Sequence, residues 1–80
     1  MEQPRFPLYR RSANALNWYR IESATALVEV QRIGSRYVVH RLAAVAYPEQ
    51  VRIRSLIDLE DGHVQACAAE EVESLLAEVE

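Results

Sequence analysis

The spacing of apolar positions along the chain changes character near Pro48. Ahead of it, Asn17 to Ser23, Leu27 to Ile33 and Arg36 to Ala46 are rich in Val, Ile, Tyr and Trp, side chains that suit a pleated, half-buried surface. These runs predict three strands. Gly34-Ser35 separates two of them and supplies the positive φ that a tight hairpin needs, while Ser23 to Ala26 gives a weaker turn signal between the other two. Both short connections imply antiparallel neighbours.

The pairing register follows from the turns. A two-residue loop at Gly34-Ser35 sets Val30 opposite Val39, Arg32 opposite Tyr37 and Glu29 opposite His40. The same logic at the earlier turn sets Ile21 opposite Val28, Tyr19 opposite Val30 and Arg20 opposite Glu29. One face of the three strands then collects Tyr19, Ile21, Val28, Val30, Tyr37 and Val39, and the other collects Trp18, Arg20, Glu22, Glu29, Gln31, Arg36 and His40. A meander with one apolar and one mixed face is expected. The mixed face would also carry Leu27, Ile33 and Val38, which together with Trp18 are too much apolar surface to leave wet.

After Pro48 the pattern admits two readings. Pro48-Glu49 resembles a helix start, with Ile53, Leu56 and Ile57 as its inward stripe. Val51, Ile53, Ile57 and Leu59 also fit a period of two, so a strand over 48–59 is the alternative to the helix adopted here. Asp61-Gly62 marks a turn, after which Ala69, Val72, Leu75, Leu76 and Val79 recur at helical spacing with Glu70, Glu71, Glu73 and Glu78 between them. This predicts an amphipathic C-terminal helix. Phe6 to Arg11 could add an edge strand, its regular pairing discouraged by Pro4 and Pro7. The expected fold is α+β: a three-stranded antiparallel meander, with an extra N-terminal edge strand as an option, packed on one face by two C-terminal helices.

Size and composition narrow the function. Eighty residues and 9.2 kDa, half of them hydrophobic, suit a single domain over 1–80. A domain this small buries only roughly 60% of its unfolded surface, so a partner subunit would add usefully to its stability. One cysteine, Cys67, forms no internal disulfide, the first residues do not read as a secretory signal, and no uncharged stretch approaches the ~20 residues that span a bilayer. A cytoplasmic protein without membrane contact is expected.

Charge is unevenly spread. All nine basic residues are arginines lying between Arg5 and Arg54, and against the four glutamates of residues 1–54 they leave +5; residues 55–80 carry eight carboxylates and no arginine, −8, for the net −3. Of the two physical readings, a basic surface with a remote acidic tail or two halves that neutralise each other on packing, the second is adopted.

Candidate chemistry is sparse. His63 and Cys67 would share a helix face if helical, but two ligands are too few for zinc, so neither a metal nor a cofactor is expected. Glu70 and Glu71 after Cys67 would raise its thiol pKa, which is unsuited to a nucleophile. With only Gly34 and Gly62, the chain has no Gly-rich phosphate loop. A non-catalytic protein is expected, acting through protein contacts on the mixed face around Trp18, Arg20, Arg36 and His40, with a second copy of itself among its partners. The alternative is nucleic-acid binding by Tyr9, Arg10, Arg11, Trp18, Arg20 and Arg36, weakened by the lack of lysine and by the acidic tail.

Overall fold

The structure is a computed structural model that describes residues 5–43, 46–59 and 62–79. Five strands and two helices follow in the order β1 (Leu8–Ser12), β2 (Asn17–Ser23), β3 (Ala26–Ile33), β4 (Arg36–Ala43), α1 (Tyr47–Asp58), β5 (Val64–Ala66) and α2 (Ala69–Val79). The strands form one antiparallel sheet in the spatial order β4-β3-β2-β1-β5. The chain is α+β, as its two hydrophobic periods imply.

The β3–β4 hairpin has the expected register, with Val30 opposite Val39, Arg32 opposite Tyr37, Glu29 opposite His40 and Gly34 at φ 64° in the turn. The β2–β3 pair does not. It begins as expected with Ser23 opposite Ala26, but an irregularity between Ile21 and Ser23 inserts an extra residue, so Ile21 meets Leu27, Arg20 meets Val28, Tyr19 meets Glu29 and Trp18 meets Val30. Because strand side chains alternate with a period of two, this one-residue slip turns the side chains of β2 from Asn17 to Ile21 to the opposite face. Tyr19 and Ile21 therefore leave Val30 and Val39 and join Leu27, while Trp18 joins Val28 and Val30.

The consequence is a second core. On one face Tyr19, Ile21 and Leu27 pack under Ile53 and Leu56 of α1; on the other Trp18, Val28 and Val30 pack under Val72 and Leu76 of α2. The two helices cover opposite faces of the sheet, not one face together. The physical reason lies in the neighbouring pairs Trp18-Tyr19 and Leu27-Val28: both strands are apolar on both sides, and one covering layer would leave half of that surface in water. In α2 Val72 and Leu76 are buried and Leu75 partly so, whereas Ala69 and Val79, expected inside, are exposed.

The N-terminal strand exists but is not an edge. β1 lies between β2 and β5, and it begins after Pro7, so no proline interrupts its ladder. β5 itself was not foreseen, since three residues are too few to display a period. Residues 48–59 resolve as the helix reading, with Pro48 in the first turn, Glu49 close behind and Leu59 closing the end in the left-handed conformation at φ 54°.

Two polar devices hold these layers. Ser12, buried at the end of β1, accepts hydrogen bonds through Oγ from the backbone N–H groups of Leu16 (3.2 Å) and Asn17 (2.9 Å) and donates to Asn14 Oδ1 (2.7 Å), which folds the β1–β2 loop around one hydroxyl. Arg10, also buried, reaches from β1 to the carboxyl end of α1: Nε donates to the Leu56 carbonyl at 3.0 Å and Nη2 to that of Ile57 at 3.1 Å, while Nη1 donates to its neighbour Tyr9 at 2.9 Å. The last turn of α1 has no basic residue of its own, so Arg10 supplies both the missing donors and the positive charge that a helix carboxyl end favours.

Arg10→Ala is expected to destabilise the protein by about 3 kcal/mol, because it strands buried carbonyls, and Arg10→Lys is expected to recover only part of this since an ammonium lacks the planar fork. Urea denaturation followed by circular dichroism measures both. Ala15, exposed in the β1–β2 loop at φ 58°, points the other way: Ala15→Gly is expected to raise stability by about 1 kcal/mol in the same assay by relieving left-handed strain.

Candidate interaction surface

The four residues expected to share a contact surface are divided between the two faces. Trp18 lies on the α2 face, 7% exposed, its ring tilted against Tyr37 at 6.0 Å between centroids and its Nε1 donating to Glu71 Oε2 at 2.9 Å. Arg11, beside it on β1, donates through Nη1 to Glu71 Oε1 at 2.9 Å and Oε2 at 3.2 Å. Arg20, on the same face, meets Glu73 of α2 through Nη1 at 2.7 Å and Glu22 through Nη2 at 3.4 Å, and Glu73 holds its guanidinium pKa above the ordinary value. Trp18 and Arg20 are thus anchors for a helix of their own chain. Here the basic half and the acidic half of the sequence neutralise each other, as the second reading of the charge split requires.

Arg36 and His40 project from the other face, on β4, and both are exposed. Because β4 closes the sheet on one side, among the described residues it has a strand neighbour only in β3. Between Arg36 and His40 stands Val38, 36% exposed, and Ile33 opposite Arg36 is 56% exposed. On this face the core under α1 is built on Tyr19, Ile21 and Leu27 and takes in Leu42 of β4, but not Ile33, Arg36, Val38 or His40. The open patch is therefore Ile33, Arg36, Val38 and His40, with Trp18 and Arg20 replaced by residues of the hairpin.

Further along the same face a shallow cleft of about 350 Å³ runs between β3, β4 and α1, lined by Leu27, Glu29, His40, Leu42 and Arg52. Glu29 is well satisfied there, accepting from Asn17 Nδ2 at 2.8 Å and pairing with Arg52 at 3.6 Å. Burial first, and the Glu29 carboxylate second, push the neighbouring Tyr19 hydroxyl above its usual pKa. His40 Nε2 lies 3.3 Å from Gln31 Oε1 on the cleft rim. These groups satisfy one another across the cleft.

The residues suggested for nucleic-acid contact are likewise separated. Arg10 is buried under α1, Arg11 and Trp18 share Glu71, Arg20 is held by Glu73, and of the set only Arg36 stands open on the β4 margin. His63 and Cys67 flank β5 rather than sharing a helix face, and among the described residues no group of three or more His, Cys, Asp or Glu side chains is placed to hold a metal ion.

A sequence signal for the open margin did exist. From Val30 to Pro48 the chain carries Arg32, Arg36, His40 and Arg41 and no carboxylate, while apolar residues fall on both alternating sets of β4. What could not be read was that this strand ends the sheet. Comparison with protein-family models, with curated proteins and with solved structures finds no match to this chain.

Cys67 gives a test of the electrostatics under α2. Burial pushes its thiol pKa up, Glu71 adds to this, and Arg11 and Arg10 oppose it. Thiolate should therefore appear at higher pH in the folded than in the unfolded protein. The pH midpoint of alkylation is expected to lie above that of the denatured chain and to move down, though not all the way, in Glu71→Gln.

Proposed function

We propose that the protein is a non-catalytic interaction module whose contact surface is the open β4 margin of its sheet, with Ile33, Arg36, Val38 and His40 as its exposed face. The observation that carries this reading is one combination: an edge strand of eight residues with one strand neighbour among the described residues, apolar groups left in water beside it, and a run of basic residues without a carboxylate. Unpaired edges are usually blunted by a proline, a covering loop or short length, because an extended backbone row readily accepts another strand. β4 has no proline and is among the longest strands of the sheet. Main-chain pairing would supply affinity, and the alternating side chains selectivity.

Protein contact is favoured over nucleic acid because Trp18, the one residue suited to stack a base well, lies under α2 with its N–H committed to Glu71. Nucleic-acid binding would instead appear as salt-dependent retention of a labelled oligonucleotide.

The reading is tested by purifying a tagged copy from its own cells beside two variants with blocked edges. Val38→Lys places a charge on the exposed face, and Val39→Pro removes one outward N–H without touching the β3 ladder. Circular dichroism checks that both fold. Proteins that accompany the wild type and are lost from both folded variants support the proposal; identical recovery from all three overturns it.

A further inference from the structure

We infer that the occupant of the β4 edge is a second copy of this chain, paired antiparallel about a two-fold axis at Val39, so that two five-stranded sheets become one of ten strands. The inference rests on the proposed use of the β4 margin and adds its partner and register.

Three observations select this arrangement. The first is backbone direction. Ile33 and Arg36 flank the two-residue turn and close the hairpin as a hydrogen-bonded pair, so by the alternation of antiparallel ladders the N–H and C=O groups of Tyr37 and Val39 point away from β3, toward the open side. The second is the alternation of faces. Opposite residues in an antiparallel pair lie on one face, so a two-fold axis normal to the sheet must pass through a residue rather than between two, which leaves axes at Val38, Val39 or His40 near the strand centre. All three let the outward-pointing groups pair, the axis at Val39 placing those of the central residue against their own copies, and the side chains decide among them.

The third is the side-chain row. On the α2 face Trp18 stands opposite Val30 and Val30 opposite Val39. With the axis at Val39 this row continues unbroken as Trp18, Val30, Val39 and then the second copy's Val39, Val30 and Trp18, bringing the half-buried Val39 under cover from both sides. Tyr37 then faces the second copy's Arg41, where a ring and a guanidinium attract. On the α1 face Val38 is covered by the second copy's His40, and Arg36 lies opposite the second copy's Leu42. No cation stands directly opposite another. An axis at Val38 would set Arg36 against His40, and one at His40 would set two imidazoles against each other; both would also place Val39 against Tyr37 or Arg41 instead of itself. Charge and packing therefore choose the same register.

Disulfide trapping tests it in a Cys67→Ser background. In the proposed register Val38 and the second copy's His40 form a pair without backbone hydrogen bonds, their Cα atoms about 4.5 Å apart, within disulfide reach. Both positions are exposed, so replacement by cysteine should leave the fold intact. Under mild oxidant the double variant Val38→Cys/His40→Cys is expected to give a covalent dimer of twice 9.2 kDa at least about tenfold faster than either single variant. Light scattering should show the wild type doubling in mass at high micromolar concentration and Val39→Pro remaining monomeric. Faster trapping of Val38→Cys or His40→Cys alone overturns the register while leaving the edge reading standing. A wild type that is monomeric at every concentration, with a double variant that is not trapped, overturns self-pairing, and loss of the co-purifying proteins from the edge variants then decides the broader reading independently.

Discussion

A sheet whose central strands are apolar on both sides has to be covered twice. In this protein that constraint comes from two adjacent pairs, Trp18-Tyr19 and Leu27-Val28, all four of which are buried. Strand geometry sends the members of each pair to opposite faces, and each side needs its own layer. With two helices available in eighty residues, the only economical arrangement is one helix per face, which makes two thin cores rather than one thick one. Each core is too small to be generous, so polar contacts take on part of the work of fixing the helices.

Those contacts differ between the layers. α2 is acidic in its first turn and lies over a basic stretch of β1 and β2, so Glu71 holds Arg11 and Trp18 while Glu73 holds Arg20. These ion pairs are partly exposed, and pairs of that kind contribute little energy each, up to roughly 1 kcal/mol. Their value is orientation: one carboxylate serving both a guanidinium and an indole fixes the helix along its axis and about it. α1 is held differently, through the buried Arg10 at its carboxyl end, where no side chain of the helix itself could have served. β1 thus secures both helices, with Arg10 toward one and Arg11 toward the other, and this accounts for a strand of such basic composition lying inside the sheet.

Covering the sheet this way leaves its far margin short. α2 reaches Tyr37 and Val39 of β4, but on the α1 face the corner formed by Ile33 of β3 and Val38 of β4 stays in water, and among the described residues the eight-residue β4 has one strand neighbour. The other margin is closed by β5, only three residues long, which offers little backbone to any newcomer. The asymmetry between a short closed edge and a long open one gives the proposed contact surface its direction. It also explains why the expected anchors failed to assemble: Trp18 and Arg20 were already needed beneath α2.

Much of this fold is legible in the chain. The β-branched runs and the Gly34-Ser35 turn gave β2, β3, β4 and the β3–β4 register, and the spacing of Val72, Leu75 and Leu76 gave α2, because these depend on local periods and one turn. The β1 position, the three residues of β5, the irregularity beside Ser23 and the side of the sheet each helix takes were decided only by tertiary structure. The physical reason is the period of two itself: a single extra residue between Ile21 and Ser23 costs little locally, yet it exchanges the faces of a whole strand. Sequence fixes which residues seek burial; whether Tyr19 or Trp18 finds it under α1 or α2 is settled when both faces compete for the same two helices.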